Sequence, residues 1–378
     1  MNWQQVGKCI TATSLALGAA AAFAQQGPVE TYPQVPVTTD ATSQSIGNFN
    51  YGACSTFGGD TSCYHNWGVP RATSTQFPSG KVLLYTRTGG VRQASLGTPL
   101  AAGLNPPLGA NNNTQKDMIR LLNAQGIAVD YTEDVHCLTG STAVTGSIAP
   151  SSTSCAAMTN LNQYAAIIFF STSEDVLWDN GNAVVPALAV STSTTAYLDA
   201  GRTALRQYVR AGGGFVAVNY AVQQYMDEGV SEFSWIAGLL GNANLYDSAA
   251  YQNGTIVIQA ADSSTAGVGA VGTTVPFEDS WFTMVPFPTN VKFLATVDET
   301  TLATKKAVSP PYPAFHPVAW CHYYDGGRAW ITTLGTDASA TSDITVPPTS
   351  STVPNRAAFQ SMLVNGIKST MGLIPFCT

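Results

Sequence analysis

Phe315–Asp337 reads FHPVAWCHYYDGGRAWITTLGTD. Asp325-Gly326-Gly327 sits between two runs rich in aromatic and β-branched residues. Glycine reaches positive φ at little cost, so the stretch predicts a β-hairpin closed by a tight turn. Antiparallel pairing returns the end of the second strand to the start of the first. His316 is therefore expected near Thr336 and Asp337, and polar groups gathered at one end of a buried hairpin mark a candidate site.

Upstream, short apolar runs alternate with helical patterns. Val82-Leu83-Leu84-Tyr85-Thr86 reads as a buried parallel strand. Thr114 and Asp117 form a T-x-x-D start for a helix that Gly126 closes. Strands are expected at 127–132, 165–170 and 215–218. Between the last two lies a helix over roughly 195–211, with Leu198, Leu205, Tyr208 and Val209 as its apolar stripe and Gly212–Gly214 as its stop. A short helix at 231–240, strands near 255–260 and 292–297, and a closing helix over 356–370 complete the pattern. It predicts one α/β domain over 79–378, built on a mainly parallel sheet flanked by helices, with antiparallel additions near the C-terminus. The Ser/Thr/Gly/Ala-rich stretches 138–160, 180–194, 262–274 and 338–354 read as surface insertions.

The chain begins with an export signal. Lys8 precedes a small apolar run from Ile10 to Phe23, and Ala22-Phe23-Ala24 is a cleavage site, so 1–24 is expected to be removed after Ala24. No later segment is long and apolar enough to span a bilayer. A periplasmic or secreted location follows, with 25–78 as an irregular extension around Tyr51, Tyr64, His65 and Trp67. Loss of Cys9 leaves an even set of cysteines in an oxidising compartment. The simplest pairing is Cys54–Cys63, Cys137–Cys155 and Cys321–Cys377, one of fifteen possible connectivities. No CxxC spacing suggests a structural zinc site. Only 10% of residues are charged and the net charge is −7, which excludes partners held by phosphate neutralisation, nucleic acid among them. The neutral hydroxyl- and amide-rich surface suits a carbohydrate or other small-molecule partner.

Ligands of open α/β sheets bind at the carboxyl ends of strands. Four such ends carry polar groups. Arg87-Thr88-Gly89-Gly90-Val91-Arg92-Gln93 follows the first strand and lacks a phosphate-binding motif. Glu133, Asp134 and His136 follow the second, where carboxylates serve as caps, base-orienting groups or cation ligands. Asn219-Tyr220 follows Gly-Phe-Val-Ala-Val; an amide is no nucleophile, so covalent hydrolysis through this position is excluded. The fourth is the hairpin mouth, His316 with Asp337, joined by Glu278-Asp279 of PFEDSWF. A histidine among carboxylates can move protons or hold a divalent cation. His322 and Arg328 lie on the hairpin strands and read as structural.

The HPVAW…GGR…LG pattern, with VLLYTRTGGVRQAS, GIAVDYTED, ALRQYVRAGGGFVAVN and FLATVDE, resembles the ThuA-like (trehalose-utilisation) family over roughly 80–372. The resemblance implies a fold similar to class I glutamine amidotransferases and a link to trehalose or oxidised disaccharides. It also marks departures. Gln93, Asn219 and Thr336 stand where family members tend to carry histidine, and Ser280 follows Asp279 in place of glutamate. The implied set is His316, Asp279 and Asp337 for acid/base work, with Arg92, Gln93, Asn219, Tyr220, Glu278 and Thr336 binding substrate. No cofactor is implied, although a divalent metal is compatible with the carboxylates. The expectation is an exported sugar-related protein with a weakened or lost catalytic site, or a non-catalytic glycan-binding or structural envelope protein.

Overall fold

A computed structural model describes residues 80–89, 92–139, 155, 161–173, 176–177, 200–210, 212–222, 236, 238–241, 245–246, 251–284, 288, 291–305 and 315–378. The expected signal segment, the 25–78 extension, the Cys54–Cys63 pair and most of the expected 231–240 helix lie outside these residues.

Eleven strands occur among the described residues: β1 (Lys81–Tyr85), β2 (Ala128–Thr132), β3 (Ala166–Phe170), β4 (Gly214–Val218), β5 (Leu245–Tyr246), β6 (Gln252–Ile258), β7 (Thr274–Asp279), β8 (Thr283–Met284), β9 (Lys292–Asp298), β10 (Phe315–Tyr324) and β11 (Gly327–Thr332). Nine form one sheet in the order β2-β1-β3-β4-β11-β10-β9-β6-β7. The pairs from β2 to β11 are parallel, and those from β11 to β7 are antiparallel. This corrects the expected mainly parallel sheet, because half of its pairings are antiparallel. The missed strand is β7, whose proline and two acidic residues dilute a strand pattern. Thr274, assigned to an insertion, starts it.

The parallel strands read as unbroken apolar runs because both faces are covered. Val82, Leu84, Ile168, Phe170, Val216 and Val218 face one layer, with Met118 and Leu122 of α1 (Asn113–Asn123) and Phe359, Leu363 and Ile367 of α3 (Arg356–Thr370). Leu83, Tyr85, Ile167, Phe169, Phe215 and Ala217 face the other, against Leu205, Tyr208 and Val209 of α2 (Ala200–Arg210). Gly212, at φ 100°, ends α2 as the sequence predicts, and Gly213 N–H bonds to the Tyr208 carbonyl.

Two local expectations change. Helix α1 starts at Asn113, so Thr114 lies inside it and does not cap it. Asn112 spends its side chain elsewhere, accepting from Gly109 N–H and donating to the carbonyls of Leu96 and Thr98. The 338–354 stretch is no loose insertion: Ala340 and Val353 are buried in the core. Arg120, Arg356 and Gln360 donate to its carbonyls at Thr341, Asp343, Val346, Ala340 and Ser342.

Disulfides join Cys137 to Cys155 and Cys321 to Cys377, as expected. Among the described residues no helix is long and apolar enough to cross a membrane.

Candidate functional site

The hairpin turn is the predicted one. Asp325 at φ 48° and Gly326 at φ 89° form the two-residue connection between β10 and β11. Strand direction then puts every candidate group on one edge of the sheet. The carboxyl ends of β1, β3, β4, β11, β9 and β7 lie there, together with the start of β10.

Three of these ends are tied through Asn219. It follows β4 with φ 58°, and Ser171 follows β3 with φ 50°, so two neighbouring strands both leave the sheet through the left-handed region. Asn219 Nδ2 donates to Ser171 Oγ (3.0 Å) and to the Gly335 carbonyl (3.3 Å), while its Oδ1 accepts from the Thr336 hydroxyl (3.2 Å). Asn219 is fully buried. It braces the turn after β11 from below.

Asp279, at the end of β7, braces the same turn from the side. Its carboxylate accepts from Gly335 N–H (2.7 Å), Thr336 N–H (3.3 Å) and Ser280 N–H (2.7 Å). Burial pushes Asp279 up to about 6, against the pull of the Thr336 hydroxyl and these amides. A buried carboxyl with such a value is poised to take or release a proton near neutrality.

Thr336 and Asp337 line an open cleft of about 450 Å³. Gln93, Ala94 and Ser95 form a second wall, Asn113 sits at the start of α1, and Ser280 and Tyr251 close the β7 side, with Ala338 beyond Asp337. Asp337 also caps the short turn that follows, its Oδ1 accepting from Ser339 N–H at 2.7 Å. Tyr251 is 40% exposed, and its hydroxyl is held well above its ordinary value, first by burial and then by Asp337, Asp279 and Glu278.

Gln93, Thr336 and Asp337 thus meet in the cleft, with Asp279 and Asn219 directly behind Thr336. His316 lies on the same edge but makes other contacts. The hairpin ladder stops at Ala319–Thr332, and the β9–β10 pairing shifts register between Pro317 and Trp320. His316 Nδ1 meets Glu299 Oε1 at 2.5 Å and Nε2 meets the Phe282 carbonyl at 2.8 Å. The His316 hydrogen bond holds Glu299 below its ordinary range. With both ring nitrogens engaged and 1% exposure, His316 secures the β8 side of the site to β9. Tyr220 packs edge-on against Phe282 at 4.8 Å, so it joins that support.

Arg92 turns inward. Its guanidinium pairs with Glu133 and donates to the carbonyls of Leu96, Gly97 and Thr98, so it ties down the loop that carries Gln93. Glu133 is fully buried and also accepts from the Thr86 hydroxyl and from Leu100 N–H. Glu278 is half-buried on the opposite face of β7 from Asp279. Asp134, Cys137 and Cys155 cluster closely, but the two sulfurs are bonded to each other. His322 donates to the Leu239 carbonyl, and burial pushes it down to about 4; Arg328 donates to the Thr370 carbonyl. Both are structural, as expected.

Sequence reasoning missed Tyr251, Ser95 and Asn113 as lining groups and Glu299 as the partner of His316. A strand reading of Thr274–Asp279 paired with Gln252–Ile258 places Tyr251 beside Ser280, and was the signal available.

A family model described as "ThuA: Trehalose utilisation" matches residues 81–346. No curated protein matches the chain. Among solved structures, a protein described as ThuA-like from Bacteroides uniformis is similar at 16% identity and TM-score 0.46, covering 80% of this chain and 94% of that one. A ThuA-like protein from Parabacteroides merdae is similar at 12% identity and TM-score 0.43, covering 78% and 90%. A β-galactosidase from Rahnella sp. R3 is similar at 16% identity and TM-score 0.39, covering 76% of this chain and 31% of that one.

Proposed function

The chain belongs to the ThuA (trehalose utilisation) family, and from that premise we propose that it is an exported protein that binds a carbohydrate without turning it over. The observation that carries this reading is the cleft wall. Gln93, Ser95, Asn113, Ser280 and Thr336 offer neutral donors and acceptors, and Tyr251 offers an exposed aromatic face. Amides and hydroxyls match sugar hydroxyls in both directions of hydrogen bonding. An amphipathic ring can cover an apolar sugar face. His316, the imidazole that the family resemblance ties to chemistry, has both nitrogens engaged away from the cleft. Two disulfides among the described residues suit an oxidising location.

Titration calorimetry of the chain with trehalose, other neutral disaccharides and their 3-keto forms tests the reading. Mass spectrometry of the same mixtures, with divalent metals added, tests for turnover. Saturable binding that weakens about five- to tenfold in Gln93→Ala and in Thr336→Val, for loss of roughly 1–1.5 kcal/mol of hydrogen bonding each, is the expected result. The absence of new product completes it. One observation favours a catalytic alternative: Asp279, directly behind the Thr336 wall of the cleft, is a carboxyl raised to about 6. Product formation abolished by Asp279→Asn would establish that alternative and overturn the first.

A further inference from the structure

The charge of the cleft narrows the ligand class. This step rests on the carbohydrate reading and goes beyond it. Among the described residues none of those lining the cleft is basic, and one, Asp337, is a carboxylate. The cap to Ser339 N–H fixes the Asp337 carboxylate through Oδ1, and Oδ2 has no hydrogen-bond partner among the described residues. The nearest arginine along the chain offers no compensation. Arg92 adjoins Gln93, yet its Nε and Nη atoms all point to Glu133 and to the carbonyls of Leu96, Gly97 and Thr98. Lys116, one turn into α1, donates to the Ala110 carbonyl. Asp279 stands behind Thr336 with a second carboxyl. Tyr251 at the rim lies near the same carboxylates: its hydroxyl is held above its ordinary value first by burial and then by Asp337, Asp279 and Glu278.

We infer that the cleft accepts uncharged saccharides and rejects phosphorylated or carboxylated ones, with Asp337 as the residue that enforces the choice. An anionic group within the cleft meets a fixed carboxylate and, among the described residues that line it, no cation. Like charges about 6 Å apart at a protein surface repel enough to weaken binding by about tenfold or more, and salt screens the effect.

The test is titration of the full chain with trehalose and with trehalose 6-phosphate, at low and at high salt, using wild type and Asp337→Asn. Asparagine caps as well as aspartate, so the wall should keep its shape, and a thermal melt checks this. Trehalose 6-phosphate is expected to bind about tenfold or more weakly than trehalose at low salt, with the gap narrowing at high salt and in Asp337→Asn. Equal binding of the two sugars overturns the inference while the carbohydrate reading stands. A gap that neither salt nor the variant changes also overturns it, because exclusion is then steric. Failure of every neutral disaccharide to bind removes the carbohydrate reading, and this inference with it.

Discussion

Asp279 accepts several hydrogen bonds in a place that water does not reach, and its proton has a measurable effect on folding. Its carboxyl moves from an ordinary 3.8 to about 6 because burial disfavours the charge more than the amides of Gly335, Thr336 and Ser280 favour it. Below pH 3.8 both folded and unfolded chains carry this proton. Between 3.8 and about 6 only the folded chain retains it, so this group lowers stability as pH rises through that window and has no further effect above it. The stability difference between wild type and Asp279→Asn should therefore move by roughly 2 kcal/mol from pH 4 to pH 7, in favour of wild type at the acid end. Urea unfolding of both proteins across that range measures it; a constant difference would show that the carboxyl is not desolvated. Asn219 illustrates another limit at the same scale. Its left-handed φ was foreseeable from residue type, since asparagine tolerates that region better than most. Its three hydrogen bonds to Ser171, Gly335 and Thr336 were not, because those partners are 48 to 117 positions away.

Two elements depend on close partners that a sequence pattern does not name. The loop from Arg92 to Thr98 is held by one guanidinium against a buried carboxylate. Arg92→Met leaves Glu133 without its charge partner, so a loss of roughly 3 kcal/mol is expected. Weaker ligand binding should accompany it, because Gln93 rides on that loop. Chemical denaturation together with calorimetry reads both effects, and unchanged stability would mean that the pair is dispensable. Helix α3 carries Gly366 in its interior, where glycine ordinarily costs about 1 kcal/mol relative to alanine. Here a Cβ would lie 2.5 Å from the buried ring of Trp330. Gly366→Ala should therefore reverse the usual sign and destabilise by about 1–3 kcal/mol, as overpacking does. A raised melting temperature in that variant would contradict the packing. Helix α3 itself was legible at both ends, whereas α1 begins one residue before its apparent cap, Thr114, and Asn112 at the cap position uses its side chain on the loop opposite.

Across the whole molecule, the Cys321–Cys377 bond links the central hairpin to the end of the chain over a separation of 56 residues. Closing a loop of that length removes unfolded-state entropy worth about 4 kcal/mol. The Cys321→Ala/Cys377→Ala double variant should melt at a distinctly lower temperature than wild type, and an unchanged melt would assign the stability to the core alone. By itself, the sequence determined the α/β class, the parallel strands, the hairpin with its Asp-Gly turn and the family, and it offered both described disulfides as the simplest pairing among fifteen. The elements follow from local patterns, because apolar runs and turn residues carry their physics within a few positions, whereas cysteine parity is a property of the whole chain. Tertiary structure alone decided that half the sheet is antiparallel, that Arg92 and His316 turn away from the cleft, and that Tyr251 and Ser280 enter it. Those outcomes depend on register and on which of several distant acceptors a side chain reaches. Both are set by the packing of strands far apart in the chain.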